Sequence, residues 1–211
     1  MLDSPVRGFP VGEFETRLER LHKLMSAKGL TGILLMSEPE VRYFTGFLTQ
    51  FWQSPTRPWF LFIPVDKKPI AVIPEIGAAL MRTTWIDDIR TWGAPWPKDD
   101  GISLLQDLLE PLLKSGGRLG VMKGHETSLR MPLGDYERLM SGLSGIEVVD
   151  TTDILRNLRM VKTEAEIGKI THICEIASRT FARTGDIIYK GQSLAEAFRA
   201  FRIECLTQGA D

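Results

Sequence analysis

Short apolar runs alternate with amphipathic helical patterns over the first 150 residues, and this alternation leaves few folds open to the chain. The runs predict strands at 31–36, 58–64, 69–74, 89–92, 118–122 and 146–149. The helical patterns predict helices at 11–28, 37–44, 76–82, 102–112, 132–143 and 151–158. Apolar runs separated by helices are typical of a largely buried sheet with helices packed on it. The sequence therefore predicts an α/β layer fold.

Local signals predict two features of this fold in more detail. Asp66-Lys67-Lys68 is a turn-forming run between the strands predicted at 58–64 and 69–74, which predicts a hairpin. Ser37 and Glu40 have the spacing of a capping box, in which a hydroxyl and a carboxylate each satisfy a backbone amide of the first helical turn. We therefore expect a capped short helix after the first strand.

The pattern changes after residue 150, because no further strand is indicated. Two long helices are predicted instead, at 163–184 and 193–207. Their apolar stripes are too long for a helix pair to bury alone, so a further layer of structure is expected to cover them. The predicted domains are an α/β domain at 1–156 and, at 157–211, a linker with the first helices of an incomplete second domain.

Composition excludes several classes of function. The formal net charge is −1, and no basic or acidic tail is present, so a nucleic-acid partner is not expected. No apolar stretch approaches the length of a membrane span, and Met1 to Pro10 lack the pattern of a signal peptide. Cys174 and Cys205 do not form a CxxC motif, which favours reduced thiols. We expect a cytoplasmic protein without a membrane partner.

The sharpest motif is RMVKTEAEI, at residues 159–167. Thr163 can cap the helix that follows, and Glu166 can accept a hydrogen bond from the Thr163 backbone amide. Arg159 and Lys162 precede this helix and can pair with carboxylates of its first turn or of the neighbouring domain. On local physics alone, the motif predicts a well-capped helix after a linker.

The same run resembles the domain junction of the creatinase, aminopeptidase P and prolidase family, Arg-x-x-Lys-Ser/Thr-x-x-Glu-Ile/Leu. Its positions are occupied here by Arg159, Lys162, Thr163, Glu166 and Ile167. Upstream, the order of an opening helix, a GILL strand and a Tyr-x-Thr-Gly segment is also similar. The resemblance implies a creatinase-type amino-terminal domain with a mixed sheet flanked by helices. It also implies that the last two helices begin a pita-bread α+β domain.

The resemblance further implies a parent hydrolase that cleaves a peptide bond before proline or a small amide-like substrate, and that forms a homodimer. In this family two Asp, one His and two Glu hold two divalent ions, often manganese, zinc or cobalt. These ligands normally lie downstream of the segment that corresponds to Asp211. No metal ligand or catalytic residue is therefore assigned to this chain, which is not expected to be active alone. His22, His125 and His172 show no metal-ligand spacing.

Aromatic side chains are concentrated between residues 43 and 62. Within this stretch, residues 50–58 match neither a strand nor a helix, because Pro55 and Pro58 interrupt both patterns. The interpretation is a stiff loop that carries Trp52 and Arg57 to a binding surface. In the resembled family this region lends an aromatic and an arginine to the substrate. The hypothesis is that Arg57 binds a substrate carboxylate and Trp52 walls the pocket, whereas local packing is the structural alternative.

Two other functions are weighed against the hydrolase fragment. A naturally short, non-catalytic binding or scaffold protein would share the fold without the chemistry. An unrelated nucleotide-binding α/β protein is disfavoured, because the chain has neither a G-x-G-x-x-G motif after a strand nor the lysine of a P-loop.

Overall fold

The structure, a computed structural model, describes residues 5–54 and 57–210. Residues 1–4, 55–56 and 211, which the predicted domain ranges include, lie outside the described part. The chain divides into two units that are each compact. One unit is Phe9–Met160, called the larger unit below, and the other combines Met1–Gly8 with Val161–Asp211 and is called the smaller unit.

The strands of the described residues all lie in the larger unit and agree with the predicted runs to within about two residues at each end. They are β1 (Gly32–Leu35), β2 (Phe60–Pro64), β3 (Ile70–Pro74), β4 (Asp88–Trp92), β5 (Arg118–Val121) and β6 (Glu147–Asp150). The helices of this unit are α1 (Val11–Ala27), α2 (Glu38–Thr45), α3 (Ala78–Met81), α4 (Ile102–Leu113), α5 (Leu133–Gly142) and α6 (Thr152–Met160). The single-turn 3₁₀ helices Gln50–Gln53 and Glu75–Gly77 complete the described elements of this unit.

One mixed sheet contains all six strands in the order β4-β3-β2-β1-β5-β6. β2 is antiparallel to both of its neighbours, with Leu34 of β1 opposite Phe62. The pairs β3–β4, β1–β5 and β5–β6 are parallel. It follows that β2 alone runs against the other five strands. The predicted mixed sheet and the predicted hairpin of β2 and β3 are confirmed.

Helices cover both faces of the sheet because alternate strand residues point to opposite sides. Ile33 and Leu35 enter a core cluster with the apolar residues of α1, α2 and α6. Leu34 and Phe62 enter a second cluster with the apolar residues of α4 and α5. All residues of β1, β2 and β3 are buried, which explains why these strands are apolar at every position.

The smaller unit is a helical layer. Its helices are α7 (Glu164–Ala182), α8 (Thr184–Ile187) and α9 (Leu194–Thr207). The rings of Phe181 and Phe201 pack with their centroids 4.9 Å apart, and an Arg183 nitrogen lies 2.5 Å from a carboxylate oxygen of Glu204. Ile176 is 1% exposed and is the one buried apolar side chain among the described residues of this unit. The short helix α8, which was not predicted, interrupts the connection between the two long helices.

Apolar side chains remain exposed along both long helices of the smaller unit. The large ones that are at least 45% exposed are Ile167, Ile170, Ile173, Phe181, Leu194, Phe198, Ile203 and Leu206. A groove of about 280 Å³ runs between Phe181 and Phe198, bordered by Ile188 and Leu194. The predicted stripes are therefore present and largely uncovered within the described residues.

Candidate functional site

The connections that carry the candidate residues meet at one edge of the sheet, called the carboxyl rim below. β1 and β5 are neighbouring parallel strands, and both end at this rim. β2 runs the opposite way, so it begins there. In open α/β sheets, ligands bind preferentially outside the carboxyl ends of the parallel strands. The rim therefore brings together three connections: the segment after β1, the aromatic segment before β2 (residues 50–54), and the loop after β5.

The 3₁₀ helix Gln50–Gln53 turns Trp52 inward. The Thr49 hydroxyl accepts a hydrogen bond from the Phe51 amide at 3.3 Å, which helps to start the helical turn. Trp52 is 7% exposed, and its ring centroid lies 6.3 Å from that of Phe47 and 5.8 Å from that of Trp59. The expectation that residues 50–58 lack helical structure is thus wrong for the first turn. The reason is that the cap at Thr49 precedes both prolines.

The packing of Trp52 bears on its hypothesised role. Trp52 belongs to the core cluster that also contains α1 and α6, so most of its surface is already in contact with protein. Its indole nitrogen is buried and has no hydrogen-bond partner among the described residues. A substrate would reach only the small exposed fraction of this ring in the present arrangement. Its role as a pocket wall stays a prediction.

Arg57 lies between the aromatic segment and the start of β2. It is half-buried, whereas Pro58 and Trp59, which follow it, are buried. Within residues 5–54 and 57–210, no hydrogen bond or ion pair engages the Arg57 side chain. An arginine held by an anchored backbone, with its fork of donors unused, can bind a carboxylate in a bidentate manner. Carboxylate binding by Arg57 stays a prediction.

Arg130, in the loop after β5, is a residue of the rim that the sequence interpretation missed. Its guanidinium carbon lies 4.9 Å from the ring centroid of Trp52, and its Nη2 donates to the carbonyl oxygen of Ser54. Burial lowers the pKa of the Arg130 guanidinium below its usual value, and the nearby Glu38 carboxylate offsets part of this effect. Arg130 is far from Trp52 in sequence, so no local spacing signals the contact.

A second arginine pairs with a buried carboxylate at the segment after β1. Arg159, of the junction motif, lies at the end of α6 and makes an ion pair with Glu40 of α2. Glu40 is 5% exposed and also accepts a hydrogen bond from the Ser37 hydroxyl. The predicted capping box at Ser37 and Glu40 is therefore wrong. Because Arg159 holds the carboxylate, the Ser37 hydroxyl donates to Glu40 and does not cap a backbone amide.

An open cavity of about 230 Å³ lies beside this ion pair. It is lined by Ser37, Pro39, Glu40, Met122, Glu126, Thr127 and Ser128, from the connections after β1 and β5. The cavity is thus at the position where the topology of the sheet favours a ligand.

The remainder of the junction motif caps α7. The Thr163 hydroxyl accepts a hydrogen bond from the Glu166 amide at 3.3 Å, and a Glu166 carboxylate oxygen accepts one from the Thr163 amide at 2.9 Å. The predicted capping box at Thr163 and Glu166 is confirmed. Lys162 lies in the connection between α6 and α7 and is exposed. The motif therefore combines an ion pair that ends one helix with a cap that begins the next.

No group of three or more His, Cys, Asp or Glu side chains in the described part of the chain could hold a metal ion. The described residues thus do not fit the pair of divalent ions that the family resemblance implies. Among residues 5–54 and 57–210, no helix combines the length and apolar character needed to cross a membrane.

Known proteins are similar to this chain over most of its length. Residues 17–161 match the sequence profile of the Creatinase/Prolidase N-terminal domain. The chain is 26% identical over 183 residues to a creatinase of Bacillus sp. (strain B-0618), a match that covers 87% of this chain and 42% of the relative. It is 24% identical over 194 residues to a probable dipeptidase, PepE, of Mycobacterium tuberculosis, with 90% and 48% covered. The chain spans about half the length of the curated relatives it matches.

Solved structures show the same fold. A prolidase from Thermococcus sibiricus superposes with a TM-score of 0.80 at 17% identity, over 96% of this chain and 52% of that one. An Xaa-Pro dipeptidase from Bacillus anthracis gives a TM-score of 0.73 at 20% identity, over 93% of this chain and 50% of that one. The predicted fold class, a mixed sheet flanked by helices as in prolidase amino-terminal domains, is confirmed.

Proposed function

Because the chain belongs to the Creatinase/Prolidase N-terminal domain family, we propose that it is the amino-terminal portion of an Xaa-Pro peptidase or creatinase-like hydrolase. The match of residues 17–161 to this family is the observation that carries the proposal. The parent would cleave a C–N bond in an Xaa-Pro peptide or in a small amide such as creatine. The portion described here would shape the substrate site and form the homodimer.

The chemistry would reside in parts of the parent other than the described residues. The matched relatives are about twice as long as this chain, and the apolar stripes of α7 and α9 are uncovered. Both observations support a further layer of structure on the smaller unit. We propose that this layer carries the ligands for two divalent ions, which when bound would polarise the scissile bond.

Within the described chain, we assign substrate recognition to Arg57. A small substrate with a free carboxylate has few other groups to be recognised by, and a guanidinium matches the carboxylate in charge and geometry. The buried side chains of Pro58 and Trp59 fix the backbone next to Arg57. A carboxylate bound there would approach from the carboxyl rim.

The test is steady-state kinetics of the full-length protein, supplied with Mn²⁺, Zn²⁺ or Co²⁺, on Xaa-Pro dipeptides, longer Xaa-Pro peptides and creatine. Arg57→Met is expected to raise KM by about ten- to a hundredfold, since a hydrogen bond to a charged group contributes about 1.5–3 kcal/mol. Arg57→Lys should recover part of the loss, because the charge remains. Arg82→Met, which removes an exposed arginine after α3, is the matched control.

Two results would count against the proposal. Unchanged KM in Arg57→Met would remove Arg57 from the substrate site while leaving the hydrolase assignment in place. Absence of hydrolysis of every substrate with every metal would favour the non-catalytic binding or scaffold protein. Sedimentation equilibrium of the same preparation checks the proposed homodimer.

A further inference from the structure

Arg130 connects the loop after β5 to the aromatic segment at two points. Its guanidinium carbon lies 4.9 Å from the ring centroid of Trp52, within the range of a cation–π contact. The same group donates a hydrogen bond to the backbone carbonyl of Ser54. The aromatic segment is thus held by one side chain at its middle and at its last residue before 55–56.

The base from which Arg130 projects is itself anchored. Met131, the next residue, is 8% exposed and belongs to the core cluster under α4 and α5. Leu129, the preceding residue, packs against the same cluster. Arg130 therefore connects the aromatic segment to the core under α4 and α5, in addition to the packing of Trp52 in the other core cluster.

An arginine suits this position better than other residue types. The planar guanidinium can stack on an indole and donate a hydrogen bond in its own plane at the same time, which an ammonium cannot do. Trp52 has no hydrogen bond from its indole nitrogen within the described residues, so the Arg130 contact is the polar contact that its ring makes there. Removing Arg130 would leave the ring of Trp52 with apolar packing only, while its backbone amide keeps its hydrogen bond to the Thr49 carbonyl.

Because Arg130 fixes Ser54 through its carbonyl, the positions that Arg57 can occupy are limited. Three residues of extended chain span at most about 11 Å, so the Cα atom of Arg57 must lie within that distance of the Cα atom of Ser54. On its other side, Arg57 is followed by the buried Pro58 and Trp59 and then by β2. Arg57 therefore lies between two anchored points, and Arg130 supplies one of them.

We infer that Arg130 is a positioning residue, which holds the aromatic segment so that Arg57 is preset to receive the substrate carboxylate. This inference rests on the proposed function, because it gives Arg57 a carboxylate to bind. Arg130 itself need not touch the substrate. Its contribution is to remove the cost of ordering the segment when substrate binds.

The experiment compares Arg130→Met, Arg130→Lys and Arg138→Met in the full-length protein. Arg138, on α5, makes a half-exposed ion pair with Asp99. Its replacement removes one positive charge, as at Arg130, without affecting the aromatic segment. Hydrogen exchange is followed at the amides of Trp52 and Ser54, which donate within the 3₁₀ turn. KM and kcat are measured with the dipeptide that the wild-type protein hydrolyses best.

Arg130→Met is expected to speed exchange at both amides about tenfold and to raise KM about tenfold with kcat nearly unchanged, because the segment must then be ordered by the substrate. Arg130→Lys should fall between Arg130→Met and wild type, since it keeps the cation over Trp52. Arg138→Met should match wild type in both measurements. If Arg130→Met fails to fold, the lysine variant is judged on the same two measurements.

Unchanged exchange at Trp52 and Ser54 in the folded Arg130 variants would overturn the inference. Faster exchange with an unaltered KM would also overturn it, because the held segment would then be irrelevant to substrate. If the wild-type protein hydrolyses no substrate, the proposed function fails by itself, and the exchange data still decide whether Arg130 holds the segment.

Discussion

Glu40 shows how a single residue can be assigned a plausible but wrong partner from sequence. Its spacing from Ser37 indicates a capping box, yet its carboxylate is buried and forms an ion pair with Arg159, which is far away in the sequence. A buried carboxylate requires a strong partner, and an ion pair outweighs one backbone amide at a helix end. Sequence spacing reports only local partners, so it could not identify this one.

The ion pair leads to a prediction for Arg159→Met. This variant should lower the free energy of unfolding by about 2 kcal/mol, because it leaves a buried carboxylate unpaired. The loss is smaller than the roughly 3–5 kcal/mol of a fully buried pair because the Arg159 side chain is 38% exposed. Urea unfolding of the full-length protein measures the change. Arg156→Met, about one turn earlier on α6, removes an ion pair with the exposed Glu126 and a hydrogen bond to the His125 carbonyl, and should lower stability by less than about 1 kcal/mol. Equal losses in the two variants would contradict the prediction.

At the scale of elements, the sequence predicts well what depends on periodicity. The strands and long helices lie where the apolar patterns indicate, and the cap of α7 at Thr163 follows from local hydrogen bonding. Strand order is different, because pairing β1 with β5 depends on contacts between residues far apart in sequence. The contact of Arg130 with Trp52 was missed for the same reason, since it depends on tertiary packing. The turn at Gln50–Gln53 was missed because its cap at Thr49 lies before the prolines that interrupt the pattern.

Gly77 illustrates how closely two elements can approach. A Cβ atom added there would lie 2.2 Å from the ring of Trp59, which is fully buried. Gly77→Ala should therefore lower the free energy of unfolding by about 1–3 kcal/mol, as overpacking does in a filled core. Gly93→Ala is the control, because a Cβ atom there meets no other atom within 4 Å. Thermal unfolding of both variants tests this. A stable Gly77→Ala protein would show that the Trp59 ring can move.

At the scale of the whole molecule, burial is distributed very unevenly. Both core clusters lie entirely within Phe9–Met160, whereas the described residues 161–210 contain a single buried apolar side chain, Ile176. The sequence indicated this contrast through the uncovered stripes of its last two helices. The two units separate after Met160, where the non-helical residues 161–163 connect α6 to α7.

This distribution predicts different behaviour for the two units when they are produced separately. Residues 9–160 should unfold in one cooperative transition, because they contain both faces of the covered sheet. Residues 161–211 should show no cooperative transition, since a pair of helices with exposed stripes buries too little surface to offset its conformational entropy. Calorimetry of both fragments measures this. Cooperative unfolding of the helical fragment would mean that its helices bury each other's apolar faces.

The reversed direction of β2 determines where the segment before it can vary without altering the sheet. If β2 ran parallel to the other five strands, it would begin at the opposite edge of the sheet, away from the loops that follow β1 and β5. Because β2 is reversed, the segment before it lies at the edge of the sheet where the other strands end. The length and sequence of that segment can therefore change without altering the hydrogen bonds between the strands.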